Sequence, residues 1–182
     1  VADLFTGLSL EGRIFAANQG TLSTPIATAA TSAITTLRPM AWVRVPDATL
    51  IIPLYLSVVV ESCGATTQGE ISVATVQADV GNGTSTAGGT PVCLNAAAPI
   101  TSNCTTRNLA TADVSSEAGL LELTRFSFAA SAVNQRFVWS AQDGGVYQVL
   151  RGPATWAAFI GGNAVNFYAC FAWLELPESF DS

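Results

Sequence analysis

The chain has 182 residues, 49% of them hydrophobic and 11% charged, and a net charge of −6. About a quarter charged is usual, and a chain this apolar and weakly charged is not a disordered one; its length suits one domain with a sizeable core. The seven cations are all arginine, Arg13, Arg38, Arg44, Arg107, Arg125, Arg136 and Arg151, spread along the chain with no Lys or His. Clustered cations that would neutralise phosphate are missing, so no nucleic-acid partner is expected. No apolar run approaches the about 20 residues of a membrane span, so no membrane partner is expected either.

Residue type predicts an all-β chain. Val, Ile, Thr, Phe, Tyr and Trp gather in short runs punctuated by Gly, Pro, Asn and Asp. Ala2 to Leu10 is the one weak helical candidate. Strands follow at Arg13 to Ala17, in the Thr/Ala-rich stretch from Ser23 to Thr36, and at Ala41 to Val45, where Pro46-Asp47 marks a turn. Leu50 to Val60 is apolar at both alternating sets of positions and reads as a central strand covered on both faces. Pro53 inside it cannot donate to a ladder, which predicts a bulge or an edge there. Glu70 to Val80 is the next strand.

Gly81 to Ala118 is poor in aromatics and dense in Gly, Thr, Ser, Ala and Asn. It reads as a projecting excursion carrying a small hairpin near Val92 to Leu94, since so long a structureless loop is uncommon. Strands resume at Leu120 to Phe128, where the apolar phase flips between Leu123 and Phe126 and predicts a bulge. Arg136 to Ser140 and Val146 to Leu150 read as a hairpin about Asp143-Gly144-Gly145. Ala154 to Ile160 and Val165 to Leu176 complete the set, and an acidic tail follows from Pro177. Eight to ten strands with short turns make a single antiparallel β-sandwich domain, most economically a jelly roll.

Catalytic chemistry finds little purchase. Without His the commonest general base and neutral metal ligand are gone, and without Lys so is Schiff-base chemistry. No nucleophile elbow or phosphate-binding loop is present. A glycosidase needs two carboxylates at a defined separation, and Glu61, Glu70, Glu122 and Glu175 lie on or beside predicted strands, but thirteen acids make some proximity expected by chance. Solvated surface charge is the stronger reading. A calcium site at Asp79 or Asp143 lacks the spacing of a calcium loop. The chain is therefore expected to be neither an enzyme nor a carrier of any cofactor or metal.

The four cysteines, Cys63, Cys93, Cys104 and Cys170, show no C-x-x-C spacing and allow three pairings. Cys93 and Cys104 bracket a short loop and are the candidate disulfide, worth about 3 kcal/mol; the alternative is four small buried hydrophobes. Trp42, Trp139, Trp156 and Trp173 each lie in a strand-like apolar run, which favours core or interface packing over an exposed sugar platform. Asn82 and Asn103 head the two glycosylation sequons.

The segment Glu11-Gly12-Arg13-Ile14-Phe15-Ala16-Ala17-Asn18-Gln19, with its Thr/Ala-rich sequel, resembles small virion proteins of tailed double-stranded DNA phages. Val43-Arg44-Val45-Pro46-Asp47-Ala48-Thr49-Leu50-Ile51-Ile52-Pro53-Leu54 is similar to a strand–turn–strand phrase of jelly-roll virion modules. The resemblance covers about the first third of the chain. It implies a capsid decoration or cement protein: a homo-oligomer, in that family often a trimer, on the outer capsid surface, clamping the major capsid protein. An acidic, weakly charged chain suits the outside of a DNA-filled shell and extensive subunit contact. Two further readings stay open, a single jelly-roll major coat protein and an extracellular carbohydrate-binding or adhesive β-sandwich.

Overall fold

The structure, a computed structural model, describes residues 2–21, 23–28, 34, 38–64, 68–80, 85–97, 99–111, 119–145, 147–162 and 164–176. In chain order the elements are α1 (Ala2–Leu10), β1 (Ile14–Gln19), β2 (Ile26–Ala27), β3 (Ala41–Val45), β4 (Leu50–Ser62), β5 (Gly69–Val76), β6 (Thr86–Ala87) and β7 (Val92–Cys93). They continue with β8 (Thr105–Asn108), β9 (Leu120–Phe128), β10 (Val133–Ser140), α2 (Ala141–Gly144), β11 (Leu150–Arg151), β12 (Ala154–Gly161) and β13 (Asn166–Glu175).

The strands form two antiparallel sheets, as the residue pattern predicts. One is ordered β10-β4-β13-β1-β7, with β11 also on β4 and β2 on β13; the other is ordered β6-β8-β3-β12-β5-β9. Between them lies one apolar core. Phe15, Leu56, Val58, Val60, Phe167, Phe171 and Trp173 enter it from the first sheet, and Val43, Val45, Ile71, Val73, Trp156 and Ile160 from the second. Period-two alternation puts these side chains on one face of each strand, and at about 25 cal/mol per Å² their burial is the main stabilising contribution.

The two sheets differ on their outer faces. Along β12 every residue is buried, because a second cluster of Trp42, Ala74, Val76, Val80, Ala157 and Phe159 covers the far side of that sheet. The burial on both faces expected for β4 is found instead in β12. β4 is central, with β10 and β13 on its flanks, and Ile51, Pro53, Leu56, Ser57, Val58 and Val60 are buried, while Ile52, Leu54, Tyr55 and Val59 stay partly exposed.

Both predicted bulges are present. On β4 the partner of Trp173 is Pro53 and that of Ala172 is Tyr55, so Leu54 is the extra residue. Across the other edge, β10 pairs with Tyr55 to Ser62 and β11 with Leu50 and Ile51. On that edge Pro53 has no partner, so its missing N–H costs nothing there. On β9, Thr124 faces Val73 and Glu122 faces Ala74, which leaves Leu123 as the extra residue.

Two expectations are corrected. The described part of 81–118 is not a projecting excursion. It supplies edge strands to both sheets: β7 pairs with β1, β8 with β3, and β6 with β8. Nor do 136–150 form a hairpin. Ser140 caps one helical turn, its Oγ accepting from the Asp143 N–H at 3.1 Å and donating to Asp143 Oδ2 at 2.6 Å, and Gly145 ends the turn at φ 68°. The chain is carried past β10's end, and β11 lies along β4 rather than on β10. Of the one or two strands expected from Ser23 to Thr36, residues 29–33 and 35–36 lie outside the described residues, as does the tail from Pro177; between Ser23 and Thr28 only Ile26–Ala27 is strand.

Candidate interaction surface

The outer face of the first sheet is built by strands far apart in sequence. Register places Asn18 of β1, Cys170 of β13, Ser57 of β4 and Val138 of β10 in one row. Tyr168, Val59 and Arg136 form the next row, and Ala16, Ala172, Tyr55 and Ser140 the row on the other side. Arg136 is the one charge in these three rows, and its guanidinium donates to the Tyr55 hydroxyl. A cavity of about 680 Å³ opens on this face, walled on one side by Gly20, Thr21 and Ser23.

A second cavity of about 500 Å³ shares Asn18, Gly20 and Thr21 with the first and continues past Pro25, Ile26, Thr86, Gly88 and Asn108 towards β6. Polar groups without partners sit in and behind its wall. Gln19 is fully buried, yet neither its Oε1 nor its Nε2 has a hydrogen-bond partner, and the same holds for Asn108 Oδ1. A buried orphan of this kind costs about 1–3 kcal/mol. Gly88 closes over Gln19: a Cβ there would stand 2.2 Å from Gln19 Oε1 and 2.5 Å from Thr106 Oγ1, so only glycine fits.

The predicted site residues take these places. Trp156, fully buried, meets Phe171 edge-on at 4.9 Å and Trp139 at 5.8 Å. Trp173 stacks on Phe15 at 6.2 Å, and Trp42 belongs to the outer cluster of the second sheet. All four tryptophans are buried. The disulfide expected between Cys93 and Cys104 is not formed. Cys93 Sγ donates to the Gly12 carbonyl at 3.1 Å on the edge of the first sheet. Cys104 is buried beside Glu175, and burial together with that carboxylate pushes its thiol far above the ordinary range. Burial also raises the Cys170 thiol, against the pull of Arg136. Iodoacetamide applied to the native protein at mildly alkaline pH is therefore expected to leave Cys104 unmodified, and denaturant to expose it, as peptide mass spectrometry would read directly.

Five of the acidic residues considered above, Glu70, Asp79, Glu122, Asp143 and Glu175, are engaged in structure. Arg125 bridges Glu122 at 2.7 Å and Glu70 at 3.4 Å, and the Arg125 hydrogen bond, with one from Ser72, holds the Glu122 carboxyl below its usual range. That keeps Glu122 ionised, the opposite of what a general acid requires. Asp79 pairs with Arg44 at 2.5 Å, and Asp143 is spent on the α2 cap. Glu175 is 4% exposed and accepts from Ser102 Oγ, from the Asn103 N–H at 3.2 Å and from Trp173 Nε1 at 3.1 Å. It ties the segment before β8 to the end of β13. Sequence reasoning placed Glu175 among surface acids; its position beside Trp173 at the end of the most apolar strand was the available signal. Asn82 lies outside the described residues.

The fold and this surface together define a two-sheet β-sandwich with one covered sheet and one largely uncharged, grooved outer face. No protein-family model matches the chain, and no curated protein matches it in sequence. Among solved structures it is similar to one of infectious bursal disease virus, Gx strain, at 12% identity and a TM-score of 0.22, over 93% of this chain and 42% of that one. It is also similar to the T13 viral particle of the same virus at 12% identity and a TM-score of 0.24, over 91% and 39%. The chain thus spans about two fifths of those chains' lengths, and likeness at that level carries neither fold nor function.

Proposed function

We propose that the chain is a virion structural protein, an outer-capsid decoration subunit that stabilises a shell through contacts with the major capsid protein and with copies of itself. The observation that carries this reading is the strand order. Numbered one to eight along the chain, the strands of five or more residues are β1, β3, β4, β5, β9, β10, β12 and β13. One sheet then runs 6-3-8-1 and the other 2-7-4-5. Nested hairpins wrapped in this order are the connectivity of a jelly roll, an architecture that recurs in viral shells. Surface chemistry supports the decoration role: a net charge of −6 suits the outside of a packaged genome, and the weakly charged outer face suits subunit contact.

The same strand order favours a second reading, a single jelly-roll major coat protein. Sedimentation velocity of the purified protein over a range of micromolar concentrations separates the two. A small, closed homo-oligomer such as a trimer is the expected result; shell-sized particles formed by this chain alone would favour the coat protein, and a monomer throughout would count against both. The carbohydrate-binding sandwich first pictured with an exposed Trp has no such residue to use. The chain is read as non-catalytic because Glu70, Glu122 and Glu175, three of the four carboxylates on or beside its strands, are engaged in ion pairs and hydrogen bonds.

A further inference from the structure

We propose that the continuous groove from Arg136 to Asn108 is a binding site for an acidic oligosaccharide, with the carboxylate of a sialic or uronic acid at Arg136 and neutral sugars along the rest. Among the described residues Arg136 has no carboxylate within ion-pair distance, although Arg13, Arg44 and Arg125 all do. Its guanidinium is fixed by the Tyr55 hydroxyl instead, in a chain with nearly twice as many acids as bases. A guanidinium held in place and short of an anion is a ready partner for a planar carboxylate.

The remaining walls carry no charge. Tyr168 offers an aromatic face to the apolar side of a sugar ring, while Thr21, Ser23, Ser57 and Asn18 offer hydroxyl and amide groups to its hydroxyls. Further along, Asn108 Oδ1 is an acceptor without a donor in a residue 7% exposed, and Asn108 lines the groove. That oxygen is itself buried, so a sugar hydroxyl would meet it where the Asn108 amide turns toward the groove, supplying the donor that the protein does not. Pro25, Ile26 and Leu109 give the second cavity an apolar floor. One charge at one end, hydroxyl-matching groups between and an apolar floor match a short glycan with one acidic terminus better than a free anion. This chemistry is the same whether or not the chain sits in a virion.

The test is a binding titration, by isothermal calorimetry or saturation-transfer NMR, with sialyllactose and a glucuronic-acid-terminated trisaccharide against lactose, and with an oligoglutamate peptide as the charge control. Both acidic sugars are expected to bind about tenfold or more tightly than lactose. Arg136→Gln is expected to erase that preference, bringing the acidic sugars down to the level of lactose on the same protein. Asn108→Ala is expected to weaken all three sugars about equally, with an unchanged melting curve for Arg136→Gln showing that the fold is intact. Absence of binding by every sugar, an acid preference that survives Arg136→Gln, or oligoglutamate binding as tightly as the acidic sugars would each overturn the assignment.

Discussion

Replacing Trp156 with Ala is expected to lower the unfolding free energy by about 3–5 kcal/mol. The indole is fully buried between the sheets, edge-on to Phe171 from the opposite sheet and to Trp139, so its removal leaves a cavity that three strands cannot close. The informative comparison is Trp156→Phe. Trp156 Nε1 is buried without an acceptor, so phenylalanine deletes an unsatisfied donor along with one ring, and the two effects offset to within about 1 kcal/mol. Trp173→Phe removes the same ring but also a donor to Glu175 Oε1, and should cost about 1–3 kcal/mol more. Urea unfolding of the three variants gives these differences as shifts in midpoint. Equal losses for the two Phe variants would show that ring volume, not hydrogen bonding, sets the cost.

Glu175→Leu is the second large effect. The buried carboxylate accepts from Ser102, Asn103 and Trp173, and Ser102 Oγ in turn accepts from the Cys104 N–H at 3.1 Å. Leucine leaves the buried Trp173 Nε1 without an acceptor and takes the acceptor from the half-buried Ser102 and the exposed Asn103, which water can partly replace, so a loss of about 2 kcal/mol or more is expected. Glu175→Gln keeps the shape and one acceptor oxygen, and should lose about half as much. The damage is expected to begin locally: the 102–104 segment should lose hydrogen-exchange protection before the central strands do. Uniform loss of protection across the sandwich would mean that Glu175 supports the core rather than fastening the segment before β8.

Much of the sandwich was legible because its long strands follow residue type. Ala41 to Val45 and Leu120 to Phe128 have the bounds that pattern alone assigns, and so does the helix from Ala2 to Leu10. The bulges at Leu54 and Leu123 were legible too, one from a proline that cannot donate and the other from a break in apolar alternation. What failed was of two physical kinds. β7 falls where strand near Val92 to Leu94 was expected, but β6 and β8 are two and four residues long and made mostly of the Thr, Ala and Asn found in loops, so nothing local shows that the three are edge strands of the sandwich rather than part of an excursion. By contrast, α2 carried a signal that the Asp-Gly-Gly turn outweighed: Ser140 followed three residues later by Asp143 is a helix-start pattern.

The groove was illegible for a different reason. Asn18, Ser57, Arg136 and Tyr168 meet only because β1, β13, β4 and β10 are neighbours in that order. Strand order is a long-range property that the alternation within each strand does not encode. Arg136 stood out in the sequence only as one arginine among seven, and Gln19 only as the last residue of the segment from Glu11. Their roles follow from what the folded sheet places, and fails to place, beside them.

The most direct test of the central claim, that this β-sandwich works as a component of a viral shell, is electron microscopy of the purified protein, alone and mixed with capsids of a virus that encodes it. Discrete small oligomers alone, and regular added density on the outer surface of the capsids in the mixture, are the predicted result. A monomer that adds no density to the shells would contradict the account.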